Sequence, residues 1–128
     1  KVMGHIGYTP QYKKKFSPQG LKHREEIKLI NEAKNIEDAG AFAIVLECVN
    51  AGLAKKITKN LQIPTIGIGS SKYCNGQIIV LDDLVGLSGF YPKFIKKYAN
   101  LEMIIDKAIK RFKRDVIRKK FPTKANSY

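Results

Sequence analysis

Six consecutive apolar residues, Ala41-Phe42-Ala43-Ile44-Val45-Leu46, lie between Gly40 and Glu47. A short apolar run without polar alternation reads as a strand buried on both faces, as in a parallel sheet. The carboxylate that closes it stands at the C-terminal end of the strand, where α/β folds place their chemistry. Partly apolar surroundings disfavour an ionised carboxyl and raise its proton affinity. Glu47 is therefore a candidate general base. The plainer alternative is a strand-end glutamate that faces solvent or caps the next helix.

The pattern on either side of this run alternates strands with helices. Val2-Met3-Gly4-His5-Ile6 reads as a strand ending at Gly7, followed by a polar loop with Thr9-Pro10, Lys13-Lys14-Lys15 and Ser17-Pro18. From Arg24 to Ala39 the period turns helical, with Leu29, Ala33 and Ile36 on one face and Glu25 and Glu26 at the positive N-terminal end. Gly40 is a left-handed stop. Asn50 can cap a helix whose apolar side is Leu53, Ile57 and Leu61. Thr65 to Gly69 and Gln77 to Leu81 are further strand candidates. After Pro92 the chain reads as helical to Lys120, in two pieces that break near Asn100. Leu101, Ile105, Ala108, Phe112 and Val116 form the stripe of the second piece. Such alternation argues for parallel βαβ units. Four strands could make a small open sheet, or half of a closed eight-stranded barrel of about 250 residues.

The chain has 128 residues, enough for one ordinary domain with a core. It begins with Lys1 and enters Val2-Met3 at once, which suggests a chain cut from something longer. No run approaches transmembrane length and no secretory signal is present, so a cytoplasmic protein is expected. Cys48 and Cys74 lack metal-ligand spacing and read as small packing residues. The net charge of +13 raises the prior for an anionic partner. Much of it comes from the lysine triplet and from a run between Lys107 and Lys120. No nucleic-acid-binding motif accompanies it, so a solvated basic surface is the simpler reading.

His5 ends the first expected strand as Glu47 ends the second. Two polar side chains at equivalent ends of neighbouring parallel strands would converge on one mouth. An imidazole there can donate to a substrate oxygen; a hydrogen-bonded structural histidine is the alternative. Gly67-Ile68-Gly69-Ser70-Ser71 could offer backbone N–H groups to an anion, but it matches no full phosphate-loop pattern and reads better as a tight strand exit. Asp82 and Asp83 could hold a metal, yet no third ligand can be named, which favours capping or solvent exposure. His23 reads as a surface residue near a helix start.

Together these strings closely resemble the ketopantoate (3-methyl-2-oxobutanoate) hydroxymethyltransferase family. The match is carried by Val2-Met3-Gly4-His5-Ile6-Gly7 with Thr9-Pro10-Gln11, and by the segment from Glu37 to Val49. It continues through Ile63-Pro64-Thr65-Ile66-Gly67-Ile68-Gly69, Cys74-Asn75-Gly76-Gln77, Asp83-Leu84, Pro92-Lys93-Phe94 and Phe121-Pro122-Thr123. The resemblance implies a (β/α)8 TIM barrel, of which this chain would cover about the last four β/α units plus C-terminal helices. Residues 1–128 would then be the C-terminal half of a single barrel domain, a fragment. It implies hydroxymethyl transfer from methylene-tetrahydrofolate to 3-methyl-2-oxobutanoate in pantothenate biosynthesis, in the cytoplasm. By the same resemblance, Mg2+ chelates the keto acid, a base removes the proton from its branched carbon, and that carbon attacks the methylene group. Glu47 matches the family's proton acceptor and His5 a strand-end histidine that contacts substrate. The keto acid and the folate are the expected partners, and a homo-oligomer is implied for the complete protein, with no nucleic acid or membrane.

The departures from the family are specific. Its Mg2+-binding aspartates, and a serine and a lysine that contact the keto acid, lie in a preceding half, so no metal ligand is assigned in this chain. The loop between Gln11 and Gln19 is shorter than the family's and carries lysines in place of a glycine-rich, aromatic segment. Ser70-Ser71 replaces a small Ala-Gly-like pair. Alone, such a fragment should fold poorly or self-associate through open sheet edges, and should not catalyse. Two other readings stay open: a basic module that binds nucleic acid or an anionic surface through its C-terminal helix, and a non-catalytic remnant of the enzyme.

Overall fold

The computed structural model describes residues 1–12 and 17–128. The lysine triplet Lys13-Lys14-Lys15 lies outside the described residues. The chain divides into two compact units, Lys1–Ile79 and Val80–Tyr128.

The first unit is an α/β layer. Its elements are strand β1 (Met3–Gly7), helix α1 (His23–Asp38), strand β2 (Ala43–Glu47), helix α2 (Ala51–Asn60), strand β3 (Thr65–Ile68) and strand β4 (Gly76–Gln77). The four strands form one sheet in the order β1-β2-β3-β4, and every pairing is parallel. Strand order follows chain order, so right-handed crossovers place α1 and α2 on the same side.

Register shows which residues meet those helices. Gly4 pairs with Ile44, Ile6 with Leu46, and Leu46 with Gly67. Ile6, Ile44 and Leu46 form the core with Leu29 and Ala33 of α1 and Leu53, Ala54 and Ile57 of α2. Gly4 is needed for this packing, because a Cβ there would run into the Ile36 side chain. The alternate residues Met3, His5, Val45, Glu47 and Ile66 share the opposite face. Val45 and Glu47 are only half-buried and Met3 is exposed. The apolar run is thus sealed on its helix side and less covered on the other, rather than buried on both.

Local signals explain the boundaries. Glu25 and Glu26 occupy the first turn of α1, where the helix dipole favours them. Gly40 has φ 87°, and its N–H donates to the Glu37 carbonyl at 2.8 Å, closing the helix. Asn50 caps α2: its Oδ1 accepts from the N–H groups of Gly52 and Leu53 at 3.0 and 3.2 Å.

Several expectations are corrected. His5 is the middle residue of β1, with two strand residues after it. The strand expected over Gln77 to Leu81 shrinks to Gly76–Gln77, with one further bond from the Ile78 N–H to the Gly67 carbonyl. β3 ends at Ile68 and Gly69 turns to φ 62°, which takes the partner backbone away. Leu81 instead starts a short helix, α3 (Leu81–Val85), with Asp82 and Asp83 in its first turn.

The second unit holds α3, helix α4 (Leu101–Ile117) and a 3-10 turn at Lys124–Asn126. The helix expected directly after Pro92 is absent. That segment follows α3 instead, and the Tyr98 N–H donates to the Leu84 carbonyl at 2.8 Å. Asn100, read as a break, starts α4: its Oδ1 accepts from the Met103 N–H at 3.2 Å. Phe112 of α4 meets Phe121 edge to face, with centroids 5.4 Å apart.

Candidate active site

The parallel register brings the two singled-out polar residues together. Gly7 pairs with Glu47 and His5 with Val45, so His5 and Glu47 sit diagonally on the same face of adjacent strands. His5 Nε2 lies 3.0 Å from Glu47 Oε2. Their side chains keep 32% and 21% exposure, which leaves them reachable from solvent. The two side chains meet, although His5 reaches Glu47 from mid-strand and not from an equivalent strand end.

The backbone under Glu47 is anchored from both neighbouring strands. On the β1 side, the Tyr8 N–H donates to the Glu47 carbonyl at 2.8 Å. Gly7, at φ 101°, approaches so closely that a Cβ would strike the Glu47 carbonyl oxygen and the Val49 side chain. On the β3 side, the Cys48 N–H donates to the Ile68 carbonyl at 2.8 Å. The Ser70 hydroxyl donates to the Leu46 carbonyl at 2.7 Å and accepts from the Val49 N–H at 3.0 Å. Sequence reading placed Ser70 in a small-residue turn. Its partners lie more than twenty residues upstream in the chain, so no local signal could have revealed them.

Cys48, next to the candidate base, has φ 53°, a left-handed backbone that a non-glycine residue adopts at a cost. Its thiol is buried, and that burial, with the neighbouring Glu47 charge, pushes its pKa up to about 11. It is a packing residue, as expected.

Several other candidates resolve into structural roles. The Ser70 hydroxyl is occupied as above, and the Ser71 hydroxyl accepts from the Tyr73 N–H at 3.3 Å. Gly69 leaves β3 at φ 62°, a tight strand exit that glycine permits. Asp82 and Asp83 take helix-start positions in the second unit. His23 opens α1, exposed, 3.9 Å from Glu26. Among the described residues no group of three or more His, Cys, Asp or Glu side chains is placed to hold a metal ion. One imidazole and one carboxylate do not make the oxygen-rich shell that magnesium takes, so the described residues alone do not fit that ion.

A groove of about 590 Å³ runs beside β1, lined by His5, Gly7, Thr9 and Gln19 and by Glu25 and Lys28 of α1. Among the described residues no helix is long and apolar enough to cross a membrane.

Comparison with known proteins agrees with the resemblance carried by the sequence strings. The family model described as ketopantoate hydroxymethyltransferase matches residues 1–124. The 3-methyl-2-oxobutanoate hydroxymethyltransferase of Pelagibacter ubique is 50% identical over 127 residues, 99% of this chain and 49% of the relative. The enzyme of the same name from Thermotoga maritima is 48% identical over 131 residues, 99% of this chain and 48% of the relative. That from Bartonella tribocorum is 45% identical, with the same shares. The chain spans about half the length of the curated relatives it matches.

Proposed function

Because the chain belongs to the ketopantoate hydroxymethyltransferase family, we propose that it supplies the proton-accepting part of an active site. The reaction is hydroxymethyl transfer from methylene-tetrahydrofolate to 3-methyl-2-oxobutanoate, giving ketopantoate for pantothenate biosynthesis in the cytoplasm. In this reading residues 1–128 are the C-terminal half of one (β/α)8 barrel. Two observations support it: the strands run in chain order with α1 and α2 on one side, and the chain has about half its relatives' length. The complementary half completes the site, and the complete protein is a homo-oligomer. Magnesium is assigned to residues of the complementary half.

The observation that carries the proposal is the 3.0 Å contact between His5 and Glu47 at the sheet mouth. Glu47 must be ionised to act as a base, and an ionised carboxylate only accepts hydrogen bonds. His5 therefore presents Nε2–H to it, which fixes the imidazole tautomer. Held this way, the Glu47 carboxylate takes the proton from the branched carbon of the keto acid. The electron pair left on that carbon forms the new bond to the methylene carbon of the folate as one of its two C–N bonds breaks towards nitrogen. Water then displaces the second nitrogen to give the hydroxymethyl group. The proton taken by Glu47 and one from water end on the two folate nitrogens. When the keto acid binds, the His5 Nε2–H passes from Glu47 to an oxygen of the keto acid, which positions the substrate and frees the carboxylate to take the proton.

The test joins this chain, by co-expression, with the part of the Pelagibacter relative that it does not match, and follows ketopantoate formation. The wild-type pair should turn over. Glu47→Gln should cut turnover by at least about a hundredfold, the scale of a lost general base, while keto-acid binding persists. Turnover by Glu47→Gln close to wild type would remove Glu47 from the role.

A further inference from the structure

We infer that Ser70 is a positioning residue for Glu47, an assignment that rests on the proposed role of Glu47 as the base. The Ser70 side chain bridges the two ends of the turn that carries the base. Its hydroxyl hydrogen goes to the Leu46 carbonyl, 2.7 Å away, and its oxygen accepts the Val49 N–H at 3.0 Å. Both bonding capacities of one hydroxyl are used on residues that bracket Glu47 and Cys48.

The family carries a small Ala-Gly-like pair at this place, so the hydroxyl clasp is particular to this chain, where it spans a strained turn. Cys48 holds φ 53° without being glycine, a conformation that persists only where surrounding contacts over-determine it. The Val49 N–H is bound by the Ser70 side chain, while Gln19 bonds the backbone on either side of Val49: its N–H donates to the Cys48 carbonyl and its carbonyl accepts from the Asn50 N–H, both at 2.8 Å. With the clasp closed, the Glu47 peptide has one orientation, and its side chain reaches His5 Nε2 across the strand pair. Without it, Leu46 and Val49 each lose a bonded partner at the point where the chain leaves the sheet. The carboxylate then samples directions that miss the imidazole. A small misplacement of a reacting group is enough to lower the chemical rate without loosening substrate binding.

Two readouts test this, and each can fail separately from the assignment of the base. The first follows amide exchange in the reconstituted pair. Ser70→Ala should accelerate hydrogen exchange of the Val49 amide at least about tenfold, because a side-chain acceptor is lost, while Ser70→Thr should keep the wild-type rate. Unchanged exchange in Ser70→Ala would show that no clasp exists. The second uses the reconstituted pair. Ser70→Ala should lower kcat about tenfold with KM within about twofold, and Ser70→Thr should restore kcat. Should Ser70→Ala keep its kcat while Glu47→Gln loses turnover, the base stands and the positioning role falls. Should Glu47→Gln itself turn over normally, the base reading fails and with it this role for Ser70.

Discussion

Gly7 lies against the backbone of Glu47 with no space between them for a side chain. At φ 101°, its missing Cβ would point into the Glu47 carbonyl oxygen and the Val49 side chain. The first strand can therefore lie flush with the Glu47 end of the second, and the Tyr8 N–H can close on the Glu47 carbonyl. Gly7→Ala should destabilise the chain by about 1–3 kcal/mol, the usual cost of forcing atoms into a packed site. Urea unfolding against wild type measures it, and an unchanged midpoint would show that Glu47 can yield without loss.

Cys48 offers a chemical probe of the same corner. Its thiol is buried and has its pKa pushed up to about 11, and only the thiolate attacks alkylating reagents. In native protein at pH 8, Cys48 should label far more slowly than a free thiol, accelerating as pH approaches 11 or on denaturation. Peptide mapping after timed alkylation separates it from Cys74. Rapid labelling at pH 8 would contradict the burial.

Glu37 ties α1 to the segment entering β3. Its Oε1 accepts from the Gln62 and Ile63 N–H groups at 2.6 and 3.1 Å, and Lys34 binds Oε2 at 2.8 Å. Lys34 first, then those two amides, hold its pKa below the ordinary value of 4.5. A depressed carboxyl contributes stability above its unfolded-state pKa and loses it as pH falls through the folded value. Glu37→Gln should lower Tm at pH 7, and the gap from wild type should narrow as pH drops below about 4.5. A gap that stays constant between pH 7 and pH 3 would mean that ionisation of Glu37 contributes nothing.

Asn50 starts α2 immediately beyond the candidate site. Asn50→Ala leaves the Gly52 and Leu53 N–H groups without their acceptor and should cost about 1 kcal/mol, whereas Asn50→Ser should recover most of it. Chemical denaturation of the two variants side by side checks the order; equal losses would place the effect elsewhere than in the cap.

Much of the architecture was legible because local chemistry and tertiary packing agree here. The apolar period of α1, the Gly40 stop and the Asn50 cap each depend on neighbours within a turn of the chain. The juxtaposition of His5 and Glu47 was readable only in part: parallel pairing sets their strands side by side, but the register puts Gly7 opposite Glu47, and His5 reaches it diagonally. What failed depended on partners distant in sequence. Ile79 and Val80 look like strand residues, but pairing requires a partner backbone that has already turned away at Gly69. Asn100 was visible as an interruption, yet only the geometry shows that it begins a helix instead of dividing one. The bonds of Ser70 to Leu46 and Val49 have no sequence signature, because a serine after glycine is equally at home in an unremarkable turn.

The single-sided placement of α1 and α2 has a consequence for traffic to the carboxylate. The flank behind Ile6, Ile44 and Leu46 is sealed, and Glu47 and His5 look the other way. In the proposed site, access runs over the exposed pleats around Met3 and Val45 or along the groove beside β1 that His5 and α1 line. Whatever walls off that approach governs which molecules are admitted and how dry the encounter is. If Glu47 is the base we propose, a surface facing this sheet can set selectivity while Glu47 itself stays unchanged.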